Sequence, residues 1–214
     1  MFKERCEIEV DNSSYVIASS DGKTLYSIAD EGVVSFRILP NGSLARLNSS
    51  SIRGMRGCHL CTDEEDKYVF VSGYHDGKTT VLSLNPDGSV GKIVDGVFDR
   101  GYGSVAERNF RPHVTCTRRM PDNRFVLSVD NGIDQVKIYR FNDKEQKLVQ
   151  VDAIRCDLES APRHFRYSKD GKFIYLMYEL KKAIEVYTYK TGDRAPVIEK
   201  IQTISTTSTK IRTT

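Results

Sequence analysis

Long apolar runs are what this sequence most plainly lacks. No stretch approaches the roughly 20 residues that a helix needs to cross a bilayer, so no membrane span and no membrane partner are expected. The opening residues, Met1-Phe-Lys-Glu-Arg-Cys-Glu7, alternate charge with apolar side chains and have no hydrophobic centre of the kind a secretory signal carries. A cytoplasmic chain is therefore expected, and the Asn-x-Ser triplets at Asn12, Asn41 and Asn48 are read as unglycosylated. Charge of one sign is missing too: 32 Lys+Arg stand against 29 Asp+Glu, a net +3. That is too near balance for a basic nucleic-acid binder, and no nucleic-acid partner is expected. With 39% hydrophobic residues over 214 positions, the chain is too apolar for disorder and long enough to bury a core.

Cysteines are few, scattered and odd in number: Cys6, Cys58, Cys61, Cys116 and Cys156. This suits reduced thiols. Cys58-His-Leu-Cys61 has C-x-x-C spacing, but a zinc knuckle needs a second ligand pair, and a haem motif needs His where Thr62 stands. On a strand, residues three apart point to opposite faces, so the two sulfurs diverge. We read them as structural thiols and expect neither metal nor cofactor.

Helix-period stretches are also absent. What is present is a repeat. Turns at Asp21-Gly22-Lys23, Glu65-Asp66-Lys67, Asp122-Asn123-Arg124 and Asp170-Gly171-Lys172 each lead into an aromatic and β-branched run: Thr24-Leu-Tyr-Ser, Tyr68-Val-Phe-Val, Phe125-Val-Leu-Ser and Phe173-Ile-Tyr-Leu. The basic residue falls at 23, 67, 124 and 172, in steps of 44, 57 and 48. Further alternating runs and Pro-Asn-Gly-Ser or Pro-Asp-Gly-Ser turns follow. Period-two alternation between such turns reads as strand. Repeats of about 40–50 residues with four short strands each are the signature of β-propeller blades. A two-sheet sandwich would not give a fourfold repeat. The expected fold is all-β: an incomplete propeller of about four four-stranded blades, near 12–56, 57–107, 108–159 and 160–206, in one partial domain over 1–214 with a polar tail at 207–214. The longest step holds an extra polar, Gly-rich stretch over 97–112, with Arg100, Arg108 and Arg111 and, just beyond, Arg118. Gly101-Tyr-Gly-Ser104 lacks the Lys-Ser/Thr of a phosphate loop, and the stretch reads as a long loop over one end of the propeller.

Three of the four innermost strands have a histidine near their start, in Gly57-Cys58-His59, Arg111-Pro112-His113 and Pro162-Arg163-His164; the first repeat has Ser14-Tyr15 there. Antiparallel pairing brings the start of this strand and the end of the next to one mouth of the central channel. Arg163 and Glu179, 16 residues apart, are expected at the same rim. Their counterparts are expected to be Cys58 and Tyr74, flanked by His59 and His75, and then Pro112 and Asn131, beside Asp130, after allowing for three inserted residues. His75 is placed in a solvent-facing turn.

Arg111-Pro-His113 through Val129-Asp-Asn-Gly-Ile-Asp-Gln-Val-Lys-Ile-Tyr139, with Ala161-Pro-Arg-His164 through Met177-Tyr-Glu-Leu180, resembles the seven-bladed lactonase propellers. That family includes bacterial 6-phosphogluconolactonase and the fungal carboxy-muconate lactonizing enzyme. The resemblance runs from about Asn12 to about Thr206. It implies a sugar-lactone hydrolase or a cycloisomerase, without metal or cofactor, acting on a small and anionic lactone. It also implies Arg163 and Glu179 as the catalytic arginine and glutamate. The family's histidine position is taken by Thr115 here, with His113 nearby as a partial substitute. His164, His59, Arg111, Asp130 and Asn131 are the expected substrate contacts. In such a site a carboxylate takes a proton from water while a guanidinium stabilises the oxyanion of the attacked carbonyl.

Full members have seven blades and this sequence supplies about four, so a fragment or a truncated gene product is expected. End blades with apolar faces and open strand edges predict self-association. Two alternatives to the lactonase stand beside it: a carboxy-muconate-type cycloisomerase, and a non-catalytic propeller acting as a binding scaffold.

Overall fold

The computed structural model describes residues 4–103 and 110–207. Arg108, Ser104 and the tail beyond Thr207 lie outside the described residues. The described chain forms four four-stranded sheets, each an antiparallel meander in chain order. The first holds β1 (Val16–Ala18), β2 (Thr24–Ala29), β3 (Gly32–Ile38) and β4 (Leu44–Ser51). The second holds β5 (His59–Thr62), β6 (Tyr68–Gly73), β7 (Lys78–Leu84) and β8 (Val90–Phe98). The third holds β9 (Val114–Arg119), β10 (Phe125–Asp130), β11 (Gln135–Arg140) and β12 (Val149–Arg155), and the fourth β13 (Pro162–Tyr167), β14 (Phe173–Tyr178), β15 (Ala183–Lys190) and β16 (Val197–Ser205). No helix among the described residues is long and apolar enough to cross a membrane.

The repeated turns have a repeated cause. Ser19 Oγ accepts from the Thr24 amide at 2.9 Å and donates to Asp21 at 2.7 Å, and Ser168 does the same with Phe173 at 3.0 Å and Asp170 at 2.6 Å. Asp63 replaces the serine in the second sheet, where its Oδ1 accepts from the amides of Lys67 and Tyr68, both at 2.8 Å. The residue before the basic one is left-handed in all four turns: Gly22 (φ 68°), Asp66 (50°), Asn123 (55°) and Gly171 (67°). Gly, Asn and Asp are the residue types that tolerate this conformation.

Burial falls from the inside outward. Strands β6 and β10 are buried at every residue, whereas β16 is exposed at almost all of them. Sheets pack face to face. Tyr26, Ile28 and Val33 of the first meet Leu60, Val69 and Val71 of the second, and Phe70 joins the second to Val126, Tyr139 and Phe141 of the third. Phe125, Leu127 and Ile138 join the third to Phe165, Ile174 and Leu176 of the fourth. Polar atoms in these seams are matched. Thr79 and Ser128 hydroxyls lie 2.9 Å apart, Ser72 donates to Thr117 at 3.0 Å, and the Asn48 amide pairs with both the N–H and C=O of Val90 at 2.9 and 2.7 Å.

The two outermost faces differ. On the first sheet, Val34 and Phe36 are buried although they point away from the second sheet. The N-terminal segment lies against that side, with the Ser13 hydroxyl 2.7 Å from Ser27. On the fourth sheet, register places Tyr175 opposite Val186 and Met177 opposite Ile184 and, beyond it, Ile204. Tyr175, Met177 and Ile204 are exposed. The apolar face expected at each end is exposed on the fourth sheet, whereas Val34 and Phe36 of the first sheet are buried.

Phe70 is fully buried and meets Phe141 edge-on at 5.6 Å. Phe70→Ala should cost about 3–5 kcal/mol, read as a lower urea midpoint.

Candidate functional site

Strand register decides what reaches the channel mouth. In the fourth sheet Pro162 opposes Tyr178 and His164 opposes Met177, which leaves Arg163 as the extra residue of a β-bulge. A bulge re-aims the side chain it carries. Glu179 is the first residue after β14, and its amide donates to the Ala161 carbonyl at 2.8 Å. The two meet: Arg163 donates from a terminal guanidinium nitrogen to Glu179 Oε2 at 2.5 Å. Both side chains stay open to solvent, at 43% and 29% of their surface.

The same bulge recurs in the third sheet, between Val114 opposite Asp130 and Cys116 opposite Val129. The counterpart of Arg163 is therefore Thr115, not Pro112, and no three-residue insertion intervenes. Thr115 Oγ1 donates to the Arg163 carbonyl at 2.7 Å, tying one bulge to the next. In the second sheet Cys58 takes this place, with its thiol 3.3 Å from the Val114 carbonyl. The likeness of Arg111-Pro-His113 to Pro162-Arg-His164 misaligns the strands. His113 precedes β9 and matches Ala161, since its carbonyl accepts from the amide of Asn131 at 2.9 Å.

His113 is buried and stacks on Tyr74 at 4.3 Å, and its Nδ1–H donates to the Tyr74 carbonyl at 2.6 Å. Burial lowers its basicity. These contacts make it a packing link between the second and third sheets. His59, Asp130 and Asn131 are 0, 0 and 2% exposed, set deeper than the solvent-open Arg163 and Glu179. Arg111 is exposed, with its guanidinium over the Phe110 ring at 5.6 Å. His75 is exposed, as expected. His164 is half-buried and lines a cavity of about 430 Å³ with Tyr15, Phe165, Arg166, Tyr175, Met177 and Ile184. This cavity begins one residue from Arg163. The sulfurs of Cys58 and Cys61 take different partners, and no cluster among the described residues could hold a metal ion.

Sequence reasoning missed the neighbour of Asp130. Its Oδ1 accepts from the amides of His113 (2.8 Å), Gly132 (2.9 Å) and Ile133 (3.3 Å). Its other oxygen is buried without a hydrogen-bond partner and feels the charge of Asp99, itself buried and held by the Tyr139 hydroxyl at 2.7 Å. Burial, and then the Asp99 charge, raise the Asp130 pKa well above the carboxylate range. No sequence spacing signals this contact, which closes across two sheets.

The fold and the mouth define a β-propeller with an arginine–glutamate pair at one end of its channel. Residues 3–214 match the model of the seven-bladed β-propeller lactonases, and the chain belongs to that family. It is 31% identical over 199 residues to the 6-phosphogluconolactonase of Bacillus subtilis, covering 91% of this chain and 56% of that protein. A Bacteroides fragilis protein with a provisional assignment as 6-phosphogluconolactonase superposes with a TM-score of 0.85 at 30% identity, over 94% of this chain and 59% of that one. The periplasmic gluconolactonase of Pseudomonas aeruginosa shares the fold at a TM-score of 0.86 and 24% identity, over 96% and 60% of the two chains. The chain thus spans a little over half the length of the relatives it matches.

The folded chain keeps the Asp130 proton at pH values where an unfolded carboxyl, near 3.8, has lost it. The native state then binds more protons, so Asp130 subtracts stability as pH rises from about 4 toward neutrality. In Asp130→Asn the amide oxygen can accept the three backbone bonds while the amide nitrogen donates to Asp99. Thermal melts between pH 5 and 8 should show a shallower decline in Tm for this variant than for the parent.

Proposed function

We propose that this chain carries the catalytic pair of a sugar-lactone hydrolase. The observation that carries the reading is the Arg163–Glu179 contact, built by a bulge and open to solvent. Glu179 removes a proton from water as the water oxygen attacks the lactone carbonyl. Arg163 hydrogen-bonds the oxyanion that develops, a charge-assisted contact stronger in the transition state than in the ground state. Collapse of the tetrahedral centre breaks the bond to the ring oxygen, which takes the proton from Glu179 and leaves as an alcohol. No cofactor enters these steps. The names of the Bacillus subtilis and Pseudomonas aeruginosa proteins support the gluconolactone class of substrate, and an anionic substrate would gain from bidentate contact with arginine. The five unpaired thiols suit a reducing compartment.

Cycloisomerisation fits less well. It needs a proton donor where Thr115 stands, and the Thr115 hydroxyl is committed to the Arg163 carbonyl. The scaffold reading keeps one supporting observation, the exposed apolar face of the fourth sheet.

Hydrolysis of the δ-lactone of 6-phosphogluconate, followed with a coupled dehydrogenase, tests the proposal. The parent chain should exceed spontaneous opening, with Glu179→Gln and Arg163→Ala each lowering kcat by about 10²-fold. Equal rates for all three chains, matching the spontaneous reaction, would overturn the lactonase in favour of the scaffold.

A further inference from the structure

Four inner-strand residues share one level of the channel. Tyr15, His59, Cys116 and His164 each oppose the residue five places after the basic turn residue: Ile28, Ser72, Val129 and Met177. The Tyr15 and His59 rings are 4.7 Å apart, and those of His59 and His164 6.0 Å. Into this layer reaches Arg118 from β9. Its guanidinium donates to His59 Nε2 at 3.3 Å and to the Cys61 sulfur at 3.7 Å.

What Arg118 lacks is an acid. Among the described residues it forms no ion pair, and the groups that act on it most are the Cys61 and Cys116 thiols and the Tyr15 hydroxyl. Its Nε–H and the His59 Nδ1–H are both buried without a partner. A half-buried cation left uncompensated is costly, and unpaired buried donors call for a ligand or water. The field around it is positive. Burial and then Arg118 lower the His59 pKa to about 3, and His164 is lowered by burial, Arg163 and Arg118 against the single opposing charge of Glu179.

We infer that Arg118, oriented by His59 and flanked by His164 and Tyr15, binds a small oxyanion such as a phosphate group in the central channel. Two of these residues, Tyr15 and His164, also line the 430 Å³ cavity. This site is distinct from the Arg163–Glu179 pair and does not rest on the lactonase reading. The oxyanion supplies the missing negative charge, accepts from the guanidinium and the Tyr15 hydroxyl, and needs no turnover to be seen.

Inorganic phosphate titrated into the full chain, against chloride at matched ionic strength, is the test, read by calorimetry and by the imidazole NMR signals. Phosphate should bind saturably and shift the His164 and His59 resonances. Arg118→Gln should weaken it at least about tenfold, the loss of a charge-assisted contact, while Arg140→Gln, which removes an exposed arginine on β11, should leave it unchanged. Should Arg118→Gln fail to fold, the parent's histidine shifts decide alone. Phosphate acting no differently from chloride, binding that survives the loss of Arg118, or binding without any shift at His164 and His59 would each overturn the inference. Since binding is read without substrate, a failure here and an absence of lactonase activity are separate results.

Discussion

A four-stranded sheet that is apolar on both faces can exist in water only if something covers each face, and the rest of this structure follows from that requirement. Strands β6 and β10 have no solvent-facing residue at all, so neighbouring sheets must meet as matched surfaces. Matching extends to polar atoms. The Ser72–Thr117 and Thr79–Ser128 hydroxyl contacts, and the Asn48 amide that imitates a strand against Val90, pair polar groups across these seams. Polar groups placed in such a seam without partners would each cost a desolvation penalty comparable to a lost hydrogen bond.

Stacking of this kind fixes the sheets but would, with perfectly regular strands, deliver only alternating side chains to the seams. The bulges change that. At Thr115 and at Arg163 one extra residue is released from the ladder at the channel mouth, and each bulge is held from the sheet before it: Cys58 reaches the Val114 carbonyl, and Thr115 the Arg163 carbonyl. Arg163 is thus positioned by two sheets, while Glu179 is fixed by its amide bond to Ala161. The site depends on backbone register first and on side-chain chemistry second.

This order explains what could be read from the residues alone. The turns were legible because Asp-Gly-Lys and its variants hold a left-handed residue whose cause is local. The strands were legible because Val, Ile, Tyr and Phe alternate between those turns. The meeting of Arg163 with Glu179 also followed from antiparallel pairing. The third repeat was misaligned because a bulge shifts register by one without altering composition, so Arg-Pro-His at 111–113 passed for the counterpart of Pro-Arg-His at 162–164. Burial was the other blind spot. His59 and Asp130 carry functional residue types, but their neighbours Arg118 and Asp99 come from other sheets, at sequence distances that no motif encodes.

Two adjacent arginines on β9 show how much such neighbours matter. Arg119 is nearly buried and fully answered: Asp63 at 3.2 Å, Asp143 at 3.3 Å, the Asn123 carbonyl and the face of Phe141 surround it. It closes a seam and has little left to offer a ligand. Arg118 has the same side chain one residue earlier and points into the channel toward a histidine and thiols. A half-buried guanidinium without a carboxylate is costly rather than stabilising. Stability therefore accounts for Arg119 and leaves Arg118 unexplained, and an anion entering the channel is the partner that its position, its orphaned donors and the depressed histidines beside it have in common.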